Sequence, residues 1–141
     1  MGRQQAGQPL RVLVVEDDAL TVRTWVQLLG SLGHEVATAA DGPTAVRAAE
    51  AQPPDVVLLD LGLPGMSGYE VARRLRQLPC DGRPLLIAVT GFGEHADRLH
   101  SYEVGIDLHL VEPVDVAELR TFLDHFEIVR AQAARRAGDG P

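Results

Sequence analysis

Five short apolar runs recur along the chain, and each is followed by a stretch with helical period. The runs are Arg11-Val12-Leu13-Val14-Val15, Glu35-Val36-Ala37-Thr38-Ala39, Asp55-Val56-Val57-Leu58-Leu59, Leu85-Leu86-Ile87-Ala88-Val89 and Asp107-Leu108-His109-Leu110-Val111. The second is the most polar; the others are nearly continuous in valine, leucine and isoleucine. A strand buried on one face alternates apolar and polar positions, whereas a strand buried on both does not. The pattern therefore predicts parallel strands in the middle layer of an α/β fold.

The segments between the runs read as helices. Val22, Trp25, Val26, Leu28, Leu29 and Leu32 make one apolar stripe, stopped by Gly33. Asp41-Gly42-Pro43 opens a second helix with proline in its first turn, and Ala45, Val46 and Ala49 face inward. Ser67 and Glu70 have the spacing of a capping box, with Val71, Leu75 and Leu78 following on one face. A weaker helix is expected from about Glu94 to Val104, ending at Gly105. Asp115 and Glu118 give the last helix an acidic start. Its stripe of Leu119, Phe122, Leu123, Phe126 and Val129 carries it to about Ala134. Strand and helix alternate five times with short connections, and right-handed crossovers then require helices on both faces of a parallel sheet.

At 141 residues and 45% hydrophobic content the chain is expected to fold as one domain without a disulfide or metal. Residues 1–9 read as a flexible polar tail, 10–129 as the folded domain and 130–141 as a helical extension with a linker-like end. Cys80 stands alone, so no intramolecular disulfide is possible and a reducing cytoplasm is expected. No apolar run approaches the roughly 20 residues of a membrane span, and Met1 to Pro9 lacks the apolar core of a signal peptide. The net charge of −7 argues against non-specific nucleic-acid binding. All 13 basic residues are arginine. The absence of lysine excludes a Walker-type phosphate loop and Schiff-base chemistry.

Ligands of such sheets bind at the carboxyl ends of the strands, near the point where strand order reverses. The residues just after the runs are Glu16, Asp17 and Asp18, then Asp60, then Thr90 and Gly91, then Glu112. Asp18 reads as a helix start. The other carboxylates would repel one another without a counter-charge, and a hard divalent cation such as Mg2+ supplies one. Asp17 and Asp60 are the expected direct ligands, with Glu16 acting through water and the Gly62 carbonyl completing the protein's share. An aspartate beside Mg2+ can attack a phosphoryl group, and a hydroxyl such as that of Thr90 can then bond the phosphate. The stretch Gly62-Leu63-Pro64-Gly65-Met66-Ser67-Gly68 reads as the connection into the third helix, not as a phosphate cradle. His34, His95, His100 and His125 read as solvated residues with no metal spacing, and Trp25 as core.

Jointly, Val-Val-Glu-Asp at 14–17, Asp-Leu-Gly-Leu-Pro-Gly-Met-Ser-Gly-Tyr-Glu at 60–70, Val-Thr-Gly at 89–91 and the turn at Pro113 resemble the receiver domain of bacterial two-component response regulators. The resemblance covers about residues 10 to 126, and the Asp60 segment is most similar to receivers of hybrid histidine kinases. It implies a flavodoxin-like, doubly wound (βα)5 fold and a phosphorelay role. Asp60 would be the phosphoacceptor, Glu16 and Asp17 the Mg2+ residues and Thr90 the switch hydroxyl. It implies a histidine kinase or histidine phosphotransfer protein as partner, docking beside Ala19, Leu20 and Val22. A homodimer could form through the fourth helix, fifth strand and fifth helix. It does not imply an enzyme beyond self-phosphotransfer and autodephosphorylation at Asp60.

Two positions depart from that pattern. Glu112 stands where the family has a phosphate-pairing lysine, and no other lysine can replace it. His109 stands where the family has a switch aromatic, and adds a group that titrates near neutrality. Weakened phosphorylation or switching is therefore expected. The alternative is a degenerate receiver acting as a phosphorylation-independent interaction module. A Mg2+-dependent phosphohydrolase would need an aspartate nucleophile after the first strand, where this chain has Glu16, and a cap insertion that it lacks.

Overall fold

The computed structural model describes residues 9–79, 83–91 and 97–138. Among them, β1 (Arg11–Val15), β2 (Glu35–Ala39), β3 (Val56–Asp60), β4 (Leu85–Thr90) and β5 (Leu108–Val111) form one sheet in the order β2-β1-β3-β4-β5. All of its pairings are parallel. The helices are α1 (Ala19–Ser31), α2 (Gly42–Ala51), α3 (Gly68–Gln77), α4 (Arg98–Val104), α5 (Val116–Asp124) and α6 (Phe126–Gly138). The parallel sheet expected from the pattern is thus present, in the flavodoxin-like (βα)5 arrangement that the resemblance implied.

The continuous apolar runs are explained by burial on both faces. Leu13, Val15, Val57, Leu59, Leu86 and Ala88 pack under α2, α3 and α4 with Ala45, Val71, Leu75 and Val104. The alternate residues Val12, Val14, Val56, Leu58, Leu85 and Ile87 pack against α1, α5 and α6 with Trp25, Leu29, Leu119, Leu123 and Phe126. Burying one such side chain contributes about 1.5–3 kcal/mol. The polar second run is the edge strand β2, where only Ala39 is fully buried.

Side-chain caps fix the helix starts. Asp18 accepts from Thr21 N–H at 3.0 Å, Asp41 from Thr44 N–H at 2.8 Å, Ser67 from Glu70 N–H at 3.2 Å and Asp97 from His100 N–H at 3.0 Å. Asp115 accepts from Ala117 N–H at 2.9 Å. Each cap contributes about 1 kcal/mol. Gly33 (φ 93°) and Gly105 (φ 98°) sit past the ends of α1 and α4 in the left-handed region, as the stop signals predict.

Several local expectations change. The third strand is shifted one residue onward, so Asp60 ends it instead of following it. The Ser67–Glu70 box is closed from one side: the Glu70 carboxylate pairs with Arg73 and Arg74. The fourth helix is described from Arg98, with Asp97 as its N-cap; Glu94, where its start was expected, lies outside the described residues, as do His95 and Cys80. Val26 is 40% exposed, because the buried face of α1 is centred on Trp25 and Leu29. His34 is half-buried rather than solvated. Its Nδ1 accepts from Leu10 N–H at 3.1 Å, which requires a neutral ring, and burial holds its pKa below the ordinary value. His100 lies 4.7 Å from the Tyr69 ring, centroid to centroid.

The single last helix of the sequence reading is two. The backbone leaves helical geometry at His125 (φ −111°, ψ 31°), and α6 starts at Phe126. Phe126 and Ala133 are buried in the same cluster as Trp25, Leu29, Leu119 and Leu123. Past the break, α6 reaches the amino-terminal end of the sheet, where Arg130 lines a cavity with Pro54, Asp55, Arg83 and Pro84.

A buried charge network closes that end. Asp107 accepts from Arg76 Nη2, Arg83 Nη1 and Leu86 N–H at 2.8, 2.8 and 2.9 Å. Its side chain is 4% exposed, so removing one partner of the network leaves a poorly solvated charge and costs about 3–5 kcal/mol.

Candidate functional site

The strand order places one topological switch point between β1 and β3, since the chain leaves β1 for β2 on one side and returns to β3 on the other. Val15 is in register with Leu59. Glu16, which follows β1, and Asp60, which ends β3, therefore emerge side by side. Asp60 is in register with Val89, one residue before Thr90, and Thr90 with Val111, one residue before Glu112. Consecutive register thus draws Glu16, Asp60, Thr90 and Glu112 to one edge.

One carboxylate oxygen each from Glu16, Asp17 and Asp60 lies within 4.8 Å of the others. Asp17 is exposed, while Glu16 and Asp60 are half-buried. The Glu16 backbone is fixed by its N–H donating to the Ala39 carbonyl at 3.0 Å, and its Oε2 accepts from Asp18 N–H at 3.0 Å. Asp60 Oδ1 accepts from Gly62 N–H at 2.9 Å. Burial pushes the Glu16 carboxyl up from 4.5 to about 7. The Asp18 N–H opposes that rise, and the charges of Asp60, Asp17 and Glu112 add to it. Glu112 thus contributes electrostatically to the same group of acids.

A site this negative fits a hard divalent cation: its donors are oxygens, and the mutual repulsion of Glu16, Asp17 and Asp60 is what a cation would offset. Gly62 stands two residues after Asp60 and contributes its N–H to the loop.

Thr90 is 5% exposed at the end of β4, and its carbonyl accepts from Glu112 N–H at 2.8 Å. That bond carries the β4–β5 ladder past β5 and fixes the main chain at the position the sequence singled out. His109 lies apart from the carboxylates, on β5. Its Nε2 is 2.9 Å from the hydroxyl oxygen of the fully buried Ser101 on α4. Burial, and then the Arg98 charge, hold the His109 pKa below the ordinary value.

Two site features were missed in the sequence. A Cβ on Gly68 would lie 2.6 Å from Leu61 Cα and 2.7 Å from the Asp60 carbonyl oxygen, so the start of α3 presses directly on the Asp60 loop. The three glycines within Gly62–Gly68 were its only trace. The pairing of His109 with Ser101 left no sequence signal, because it depends on how α4 packs beside β5.

The response regulator receiver domain family matches residues 12–124. This chain belongs to that family. It is 34% identical over 134 residues to the response regulator PleD of Caulobacter vibrioides, covering 92% of this chain and 29% of PleD. It is 37% identical over 117 residues to the probable transcriptional regulatory protein TcrX of Mycobacterium tuberculosis, covering 83% of this chain and 49% of TcrX. The receiver thus spans less than half the length of these two relatives. Among solved structures it resembles the receiver domain of a sensor histidine kinase from Pseudomonas aeruginosa PAO1, which has a magnesium ion coordinated in its active-site cleft. That match has a TM-score of 0.74 and 34% identity, and covers 84% of this chain and 97% of that one. A CheY-like receiver from Methylobacillus flagellatus matches with a TM-score of 0.74 and 28% identity, covering 86% of this receiver and 99% of that chain. No helix among the described residues is long and apolar enough to cross a membrane.

Proposed function

We propose that this receiver accepts a phosphoryl group on Asp60 with the help of Mg2+, and that Glu112 weakens both the phosphorylated state and the switch it drives. The carrying observation is the convergence of Glu16, Asp17 and Asp60 at the switch point. Asp17 and Asp60 would hold the ion directly, Glu16 through water, and the Gly62 carbonyl would complete the protein's share. Bound there, Mg2+ would neutralise charge on the transferring phosphoryl group. The Asp60 carboxylate would attack phosphorus as the bond to the donor nitrogen of a phosphohistidine breaks, giving an acyl phosphate. Water then releases phosphate and restores the carboxylate, so the only turnover is acceptance and loss at Asp60.

Thr90 would bond the new phosphate through its hydroxyl, and its backbone link to Glu112 ties the two positions together. A lysine at 112 would attract phosphate, whereas a glutamate repels it. The donor is a histidine kinase or histidine phosphotransfer protein, docking beside Ala19, Leu20 and Val22. Leu20 is 70% exposed there. The face of α4, β5 and α5 exposes Leu99, Tyr102, Val111 and Val116, and would serve output or homodimerisation.

Incubation with acetyl phosphate and Mg2+, read by intact mass, tests this reading. Wild type should gain one phosphoryl group slowly and incompletely, and Asp60→Asn none. A wild-type chain that gains none under any condition, yet binds a partner as Asp60→Asn does, would support the degenerate-receiver alternative instead.

A further inference from the structure

We propose that α6 is a coupled arm of the receiver, clamped to the α4–β5 corner through Arg136, so that movement of that corner and movement of α6 are one event. Three observations place it. Phe126 (5% exposed) and Ala133 (3%) are buried in the core cluster that packs α1 and α5 on one face of the sheet. Arg130 lines a cavity of about 100 Å3 with Pro54, Asp55, Arg83 and Pro84, the residues that lead into β3 and β4. Arg136, six residues on, donates from Nη2 to the Asp107 carbonyl at 3.2 Å, and its guanidinium carbon lies 5.9 Å from the centre of the Tyr102 ring on α4. The helix therefore crosses beneath the sheet from β3 to β5 and grips the far corner.

The corner it grips is itself wired. Asp107 N–H donates to the Leu86 carbonyl and Ile106 N–H to the Ser101 carbonyl, both at 2.9 Å. The Asp107 side chain holds Arg76 of α3 and Arg83 ahead of β4. Asp107 is one residue before β5, and His109 follows two residues later, hydrogen-bonded to Ser101 of α4. A shift of α4 against β5 must therefore move the Asp107 carbonyl, the Tyr102 ring or both, and these are the two groups that Arg136 touches.

Coupling between two sites is reciprocal, and that supplies the test. Amide hydrogen exchange is measured on the full chain for wild type, Arg136→Ala, Tyr102→Ala and the double variant. One hydrogen bond and one exposed cation–π contact predict roughly two- to tenfold faster exchange on loss of the clamp. Arg136→Ala should speed exchange at Ile106 and Asp107. Tyr102→Ala, made on α4, should speed exchange in α6 around Ala133. Amides of Val12–Val15 should be unchanged in both, and the double variant should exceed Arg136→Ala by less than the single effects combined. Fast exchange throughout α6 in wild type, or a Tyr102→Ala effect confined to α4, would overturn the proposal. The clamp needs no phosphate, so its failure is distinct from failure of the phosphoacceptor reading.

Discussion

The main chain of Glu112 is bonded to that of Thr90, N–H to carbonyl, at 2.8 Å. The two residues end neighbouring strands and sit at the edge that also carries Glu16 and Asp60. The main chain at 112 is thus held beside that of Thr90, whose hydroxyl is the one proposed to bond the phosphate, so a side chain at 112 starts from this edge.

The sign of that charge gives the first prediction. Two unit charges about 4 Å apart interact by about 4 kcal/mol at an effective dielectric of 20, and solvent and Mg2+ reduce that to about one or two. Glu112→Lys should therefore raise the rate or extent of acetyl-phosphate labelling about tenfold. It should also enlarge the spectral change on labelling, while Asp60→Asn abolishes labelling in either background. Equal labelling and equal spectral change in wild type and Glu112→Lys would remove Glu112 from the account.

The carboxylate group predicts a metal response. A cation at a hundredfold excess over its Kd stabilises the folded state by about 2.7 kcal/mol, which is several degrees in Tm for a domain of this size. Mg2+ should produce that rise in wild type, and Asp17→Ala should lose it. Identical thermal shifts in the two proteins would place the ion elsewhere.

Glu16 predicts an inverted pH dependence in the metal-free protein. Its carboxyl is raised from 4.5 to about 7 by burial and by its acidic neighbours. Between those values the folded chain holds a proton that the unfolded chain has released, so this contribution is full below 4.5 and lost as pH rises to about 7. His34 and His109, both lowered from 6.5, act in the opposite direction: their contribution is present above 6.5 and lost as pH falls. The difference between wild type and Glu16→Gln isolates the glutamate, and Gln should gain relative stability as pH rises through the window. Mg2+ must displace the proton, so its apparent affinity should climb over the same range. A wild-type minus Glu16→Gln difference that is flat in pH would refute the shifted carboxyl.

Gly68 predicts a steric link between helix start and site. A methyl there meets backbone atoms of Asp60 and Leu61, not a yielding side-chain tip. Gly68→Ala should cost about 1–3 kcal/mol in urea unfolding, and should weaken the Mg2+ thermal shift because the Asp60 loop is displaced. Gly65→Ala is the contrast: no atom crowds its Cβ, and only its left-handed φ of 77° opposes the change. Loss of stability with a full Mg2+ response would confine Gly68 to packing.

The sequence by itself determined the layers, their order along the chain and the edge where the chemistry collects. Continuous valine and leucine runs can be satisfied only by burial on both faces, as Val12–Val15 and Leu85–Val89 are. Caps and stops such as Asp41, Asp115, Gly33 and Gly105 act within a few residues, so local sequence carries them. The gathering of Glu16, Asp17 and Asp60 was legible for a related reason: parallel register brings successive strand ends to one edge. Tertiary structure alone decided where a continuous pattern is cut and which distant groups meet. Nothing near His125 signals a break. Past it, Phe126 and Ala133 are both buried in the cluster that holds Trp25, Leu29 and Leu119, so the path of α6 answers to the core and not to the local pattern. Likewise Asp107 with Arg76, Arg83 and Arg136, and His109 with Ser101, join residues that periodicity treats as independent. Their pairing follows from helices docking at particular heights on the sheet, a property of the packed whole that no window of sequence contains.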